Sequence, residues 1–414
     1  MLRLQTRART LGLAFWACVL GGAAPGALGQ WTVTTLHPAG GISSRSNGAG
    51  VGQQMGYTQT GATVGTYRAS LWNGTSASWV NLHPAGAVYS IGYNASGGFQ
   101  VGEVYTDGLP RAALWSGTAA SWINLHPLGP STSSAFGVGG GQQVGSTSLG
   151  GANAALWSGS AASWVNLNPP PTDGYNHSSE AYAVQGGKQV GYFVAVGGVL
   201  SAAMWSGSAA SIMNLHPAGN VSSIAYGVEG NTQVGVVRVA DSTTHASLWH
   251  GTAASWVDLH PANATSSRAS DVQNGVIVGY ADIAGKRRAS LWTGTATSWV
   301  DLSVFLPAPY TRSEAGGIWT DGTKTYVAGY AFNATAGRDE AVLWTRGAAC
   351  TGDLNGDGLV DDTDFQQFVV AYNILDCTDP TMAAGCPSDF NGDGLVDDAD
   401  FTLFVIAYNA LICP

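Results

Sequence analysis

Charge is scarce in this chain: only 10% of its 414 residues are Asp, Glu, Lys or Arg. Cysteine is almost absent from its first 349 residues, where Cys18 stands alone, while Cys350, Cys377, Cys386 and Cys413 crowd the end. After the first 29 residues no apolar run approaches the 18 residues that a membrane helix needs. Long surface helices and a disulfide-built body are therefore excluded, and no membrane span is expected in the mature chain. Basic residues are few as well. Residues 30 to 349 carry 13 Lys and Arg against 14 Asp and Glu, and residues 350 to 414 carry 12 acids and no base. That distribution gives no footprint for nucleic acid. The one basic cluster, Lys286-Arg287-Arg288, reads as a solvated loop.

What is abundant is glycine, 58 residues, with Ser, Thr and Asn. This composition predicts short strands joined by tight turns. Residues 1–29 have the layout of a removable secretory signal: Arg3, Arg7 and Arg9, an apolar stretch from Leu11 to Leu20, and small residues before Gln30. An extracellular or cell-surface location follows as an expectation.

Residues 30–349 repeat with a period of about 42 to 52 residues. Each unit carries a Val-Gly pair or variant (Met55-Gly56, Val101-Gly102, Val144-Gly145, Val190-Gly191, Val234-Gly235, Val278-Gly279, Ala328-Gly329). Each also carries an apolar-Trp pair, whose tryptophans are Trp72, Trp115, Trp157, Trp205, Trp249, Trp292 and Trp344. A third box, "SWVNLHP", occurs complete only six times, at Trp79, Trp122, Trp164, Ile212, Trp256 and Trp299. One unit predicts strands near Ala135-Val138, Gln142-Ser146, Ala154-Trp157 and Trp164-Leu167, the content of one propeller blade. The missing seventh box is found as "WTVTTLHP", residues 31 to 38, so Trp31 with Leu36-His37-Pro38 is expected to pair with the last unit and close a ring of seven.

The tryptophans read as packing between blades, with a platform for sugar rings as the alternative. His37, His83, His126, His216 and His260 read as turn residues before proline, because equivalent positions on different blades lie apart around a ring. Asp258 and Asp301 read as polar strand ends, and Glu103, Asp107, Asp241 and Asp282 as loop acids. Residues 168 to 178 with Tyr175 and His177, and 303 to 313 with Phe305 and Tyr310, break the repeat and are expected to carry variable contacts. The segments "AYAVQGGKQVGYF" (181 to 193) and "AALWSG" (154 to 159) resemble the bacterial HAF-type extracellular repeat, which implies a secreted or surface protein without assigned chemistry.

Residues 350–414 duplicate with an offset of 36, each copy holding D-x-N-x-D-G-x-x-D-x-x-D. The spacing is that of a twelve-residue calcium loop. The first loop would use Asp353, Asn355, Asp357, Asp361, Asp364 and the Leu359 carbonyl, and the second Asp389, Asn391, Asp393, Asp397, Asp400 and the Leu395 carbonyl, for two calcium ions. Gly358 and Gly394 would make the bends. Phe365, Phe368, Val369 and Tyr372, and likewise Phe401, Phe404, Val405 and Tyr408, fall on one helical face after each loop. Loop-helix repeats without an incoming helix resemble a type I dockerin, and the framing cysteines make them similar to the cysteine-bearing dockerin-like end of planctomycete exported proteins. This resemblance implies anchoring to a cohesin-like or other cell-surface partner. The four cysteines read as two disulfides with three connectivities open, of which the duplication favours Cys350 with Cys377 and Cys386 with Cys413; a zinc site lacks its Cys-x2-Cys spacing.

The resulting expectation is an all-β seven-bladed propeller of four-stranded blades, followed by a small α-helical calcium-binding module. Its function is expected to be non-catalytic binding of an extracellular glycan or protein, anchored through the tail. The alternative is a tethered carbohydrate-active hydrolase or lyase. The chain has no G-x-S-x-G, H-E-x-x-H or S-x-D-x-G-x-x-W box.

Overall fold

The computed structural model describes residues 31–63, 66–169, 178–347, 352–355, 359–383 and 385–410. They fall into two units, the repeat body and the C-terminal segment. No helix among the described residues is long and apolar enough to cross a membrane.

The body is a β-propeller of seven four-stranded antiparallel sheets. Blade 3 is typical, with strands Ser133–Gly139, Gln142–Ser148, Ala152–Trp157 and Val165–Asn166 in sequential order. Blades 1, 2, 4, 5 and 6 begin at Ser43, Tyr89, Ser179, Ser222 and Ala264 and repeat the plan. Blade 7 takes three strands from Tyr310–Thr320, Lys324–Asn333 and Arg338–Gly347, and its fourth is Trp31–Thr35, so the ring closes as expected.

The register of that closure differs from the expectation in one respect. Spacing to the shared Leu-His-Pro places Val33, not Trp31, at the position of Trp79, and Val33 lies opposite Trp344. Trp31 lies opposite Arg346 and packs near Phe305, ring centroids 6.5 Å apart. Elsewhere a 3-10 turn such as Ala119–Ser121 leaves room for two paired residues in the fourth strand. Free of that turn, the closing strand pairs five.

All seven tryptophans of the apolar-Trp boxes are fully buried, each filling the gap to the preceding blade. Trp115 packs among Met55, Leu71 and Leu82 of blade 1, and Trp72 among Leu36 and Leu343 of blade 7. Each indole buries apolar surface worth on the order of 4–6 kcal/mol before ordering costs.

The His-Pro histidines do more than turn the chain. The Ala69 amide donates to Ser90 Oγ of the next blade (2.9 Å), which meets His83 Nδ1 (2.9 Å). His83 Nε2 lies 3.1 Å from the Ala87 carbonyl, which fixes the proton on Nε2 and makes Nδ1 the acceptor. His37 with Ser44 and His260 with Ser267 repeat this clamp. In blade 3 Asn168 replaces histidine and accepts from Ser179 at 2.6 Å.

In the C-terminal unit, α1 (Asp362–Ile374) and α2 (Asp398–Ala410) follow the two loops. Phe368, Ala371 and Phe404 are buried with Val360, Met382 and Val396, whereas Phe365, Val369, Phe401 and Val405 are exposed. The buried face is thus narrower than the apolar stripe in the sequence. Tyr372 donates to Asp398 and Tyr408 to Asp362, both at 2.5 Å, a reciprocal tie between the copies.

Cys377 is bonded to Cys386. This corrects the pairing favoured by the duplication, Cys350 with Cys377 and Cys386 with Cys413; Cys350 and Cys413 lie outside the described residues. The cause is a chain reversal: Val396 N–H donates to Leu375 O (2.7 Å) and Cys377 N–H to Gly394 O (3.1 Å). Cys377 is thereby carried back onto the second loop, where Cys386 lies 5.4 Å away between Cα atoms.

Candidate functional site

The first strand of every blade carries a β-bulge beside the central channel. Beside the channel the register slips at Asn47, Tyr93, Phe136, Tyr182, Tyr226, Ser270 and Gly316, and the first strands of blades 6 and 7 carry a further irregularity near their start. A bulge leaves its extra residue unpaired and re-aims it. All seven line one cavity of about 470 Å3 at the channel mouth. None was singled out from the sequence, although in six blades the residue stands nine positions before the glycine of the Val-Gly box.

That glycine belongs to the same construction. A Cβ on Gly56 would lie 1.9 Å from the Arg45 carbonyl, and one on Gly145 1.9 Å from that of Ser134. The bulged strand leans onto the glycine, so no side chain fits.

The mouth is asymmetric. Blades 2 to 5 contribute Tyr93, Phe136, Tyr182 and Tyr226, whose rings follow one another at 5.3, 5.4 and 5.1 Å. Blades 6, 7 and 1 contribute Ser270, Gly316 and Asn47 at the bulges. Below the bulges a ring of mostly Gly and Ala, with Asn94 and Asp271 as its polar members, borders a second cavity of about 170 Å3 at the other end of the channel.

Two positions before each bulge stands a second ring, and its arginines are ion-paired. Arg268 pairs with Glu314 at 2.9 Å and stacks 5.0 Å over the Tyr226 ring. Arg287 pairs with both Glu314 (2.9 Å) and Asp282 (3.1 Å) and lies 3.7 Å over Tyr280. Arg45 pairs with Asp339 and lies 4.2 Å over Tyr330. On the aromatic side Ser134 donates to Glu103 at 2.7 Å and Tyr182 to Glu180 at 2.6 Å. Burial, then the nearby Glu180, holds the Tyr182 phenol far above its ordinary range; burial and Glu103 do the same for Tyr93. Burial and Glu314 push Tyr330 up to about 12. These phenols stay protonated as donors. Asp271 is pushed up to about 7 by burial, against the amides of Ile318 and Val272 that donate to it.

Several sequence readings change here. Glu103 and Asp282 lie in strands, not loops. Lys286-Arg287-Arg288 opens a strand, and both arginines are ion-paired, Arg288 with Asp301 at 2.6 Å. Phe305 and Tyr310 are structural, Phe305 against Trp31 and Tyr310 donating to Glu340 at 2.6 Å. Tyr175 and His177 lie outside the described residues.

In the C-terminal unit, Asp389 accepts the amides of Gly392 (2.8 Å), Asp393 (3.2 Å) and Gly394 (2.9 Å), and Gly394 takes φ +92°. Asn391 accepts from Asp393 and Asp393 from Leu395, while Asp397 caps α2 by accepting from Ala399. Asp400 and Asp364 are fully buried. Asp400 accepts from Phe390, Asn391 and Asp397, and Asp364 from Leu354, Asn355 and Asp361. Asp353, Asn355, Leu359 and Asp361 are described; Asp357 and Gly358 are not. Among the described residues no three of these carboxylates converge within 4.8 Å of one another, and those of the second loop accept backbone amides instead. What fits a hard divalent cation is the residue set itself, rich in carboxylate and amide oxygens with no basic residue in the segment.

No protein-family model and no curated protein matches the chain. Among solved structures it is similar to TolB from Acinetobacter baumannii (10% identity, 64% of each chain, TM-score 0.40). It is also similar to the acylaminoacyl peptidase of Pyrococcus horikoshii (8%, 70% of this chain and 51% of that one, TM-score 0.47). The chain covers less than two thirds of either. A third similar structure is the β-propeller domain of the Trilobed protease from Pyrococcus furiosus, which has an open velcro topology (8%, 73% of this chain and 95% of that one, TM-score 0.50). At 8% identity the likeness to this third structure shows a β-propeller fold and nothing of activity.

Proposed function

We propose that this protein is an exported, non-catalytic binding propeller, held at a cell surface or in the extracellular space by its C-terminal module. The observation that carries the reading is the convergence of seven bulged residues on one channel mouth. The channel-mouth carboxylates Glu103, Glu180 and Glu314 are each engaged by Ser, Tyr or Arg. That arrangement favours recognition over acid-base chemistry at these three, and Asp271, the one acid of the cavity pushed up to about 7, has both oxygens held by the Val272 and Ile318 amides.

The tail is read as a dockerin-like module with two calcium ions. Asp353, Asn355, Asp357, Leu359, Asp361 and Asp364 would hold one, and Asp389, Asn391, Asp393, Leu395, Asp397 and Asp400 the other. Bound calcium would neutralise loops that concentrate acid without a base. The partner is a cohesin-like or other surface protein, and the HAF-like repeats and the signal-like residues 1–29 support export.

The test uses the mature chain, residues 30–414, on a glycan array and on isolated cell envelopes, with calcium and with chelator. Chelation should release it from envelopes and leave array binding intact. Ser270→Trp, which fills the mouth, should do the reverse. Array binding that survives Ser270→Trp, or cleavage of arrayed glycans, overturns the reading; cleavage would favour a tethered hydrolase or lyase.

A further inference from the structure

We infer that the ligand of the channel mouth is the terminal part of a neutral saccharide, a deepening that rests on the binding reading above. Three features of the cavity select this chemistry over others.

The first is the continuous wall of Tyr93, Phe136, Tyr182 and Tyr226. Aromatic faces are electron-rich and attract either a cation or the polarised C–H bonds of a sugar ring. The second feature decides between those two. Arg268 already lies over the Tyr226 face, and it lines the cavity beside the wall. A cationic ligand would be repelled by that guanidinium. An anionic one would compete with Glu314, which both Arg268 and Arg287 bind. Three arginines face three carboxylates on the polar side of the mouth, Arg45, Arg268 and Arg287 with Asp339, Glu314 and Asp282. The carboxylates of the aromatic side, Glu103 and Glu180, accept from Ser134 and Tyr182. A site whose charged groups are all engaged by donors or acceptors of the protein favours a ligand without net charge but with many hydroxyls, each able to donate and accept. Asn47 and Ser270 offer such partners across from the aromatic wall.

The third feature is size. The cavity, about 470 Å3, is on the small-ligand scale. Below the bulges the first strands of neighbouring blades pack too closely for a side chain, a Cβ on Gly137 lying 2.5 Å from the Tyr182 carbonyl and one on Gly317 2.4 Å from the Ala49 nitrogen. A cavity of this size takes the end of a saccharide rather than a length of its chain.

The experiment is calorimetric titration of the full mature chain with neutral oligosaccharides that differ in their terminal hexopyranose, with glucuronate-terminated analogues and with tetramethylammonium. Tight binding of one neutral terminus, at least tenfold weaker for the glucuronate analogue, is the expected result. Phe136→Leu, which keeps apolar bulk but removes the ring face, should weaken it at least tenfold, and Ser270→Trp should abolish it; both variants should keep the wild-type melting temperature within a few degrees. Tetramethylammonium binding in place of sugars, lost in Phe136→Leu, overturns the saccharide class and leaves the binding propeller standing. Saccharide binding indifferent to both variants overturns the site. If no probe binds, the saccharide class falls, and the binding reading is decided separately by the array and envelope experiment.

Discussion

Val33 lies directly opposite Trp344, in the place that a tryptophan or isoleucine of the same strand takes in blades 1 to 6. The pair joins residues 311 positions apart and makes the body a closed ring in which the two ends share one sheet. Leu36, fully buried beyond the last pair, donates its amide to Ala341 at 2.8 Å and packs against Trp72 of blade 1. It therefore ties the closing strand to the rest of blade 7 and blade 7 to blade 1. Leu36→Ala should cost about 2–5 kcal/mol, whereas Leu128→Ala, at a residue 99% exposed, should stay within about 0.5 kcal/mol. Chemical unfolding of the two variants side by side checks this; equal midpoints would mean the seam contributes no more than the surface.

Blade count, strand order and ring closure were legible in the sequence because they depend on period. Three boxes recur, and one of them is displaced to the other end. What was not legible depends on register. Trp31 resembles Trp79 as a letter but stands five residues before leucine rather than three, so pairing turns it to Phe305. The bulges were hidden for a similar reason: one extra residue does not break an alternation already blurred by glycine. Yet the recurrence of Tyr93, Phe136, Tyr182 and Tyr226 at a fixed distance from Val-Gly was a usable signal. In the tail, duplication suggested symmetrical disulfides, but the reversal at Leu375 and Val396 brings Cys377 to Cys386 instead. Sequence symmetry says nothing about where a chain turns back.

The glycine of the Val-Gly box should be the least replaceable residue of each blade. Gly145→Ala sets a methyl 1.9 Å from the Ser134 carbonyl, and relief requires prying the bulged strand away. The expected cost is about 3 kcal/mol or more. Gly140→Ala meets no atom within 4 Å and suffers only its φ of +57°, about 1–2 kcal/mol. Denaturant midpoints rank the two. Because Phe136 sits on that bulge, Gly145→Ala should also weaken mouth binding where Gly140→Ala does not.

The histidine clamps give the ring a defined response to acid. Burial lowers the pKa of His37, His83, His126, His216 and His260 below 6.5, with Arg338, Arg68 and Arg111 adding to the effect at the first three. The folded chain resists protonation, so the unfolded chain binds more protons as pH falls below 6.5. Stability is full above that value and declines beneath it until the folded histidines titrate. His216→Asn copies the arrangement that Asn168 already makes with Ser179. At pH 8 it should change stability by about 1 kcal/mol or less, and at pH 5 it should be the more stable protein. Thermal melts at the two values decide; a variant as acid-sensitive as wild type would remove the clamp from the explanation.

Asp271 works in the opposite direction. Its carboxyl accepts from Val272 and Ile318 at the waist of the channel, yet burial, with a contribution from Glu229, pushes its pKa up to about 7. The folded chain therefore holds a proton that the unfolded chain releases near 3.8, and this group's contribution to stability falls as pH rises from about 4 to about 7, then levels. The histidines raise stability over part of that window, so the wild-type profile alone cannot separate them. Asp271→Asn can. Its amide oxygen keeps one of the two backbone donors and loses the other, a fixed cost of about 1 kcal/mol at every pH. The stability of Asp271→Asn minus that of wild type should accordingly climb between pH 4 and 7 and stay flat from 8 to 9. A difference independent of pH across the whole range would show that Asp271 is ionised in the folded ring throughout, and that the waist holds a charge rather than a neutral acid.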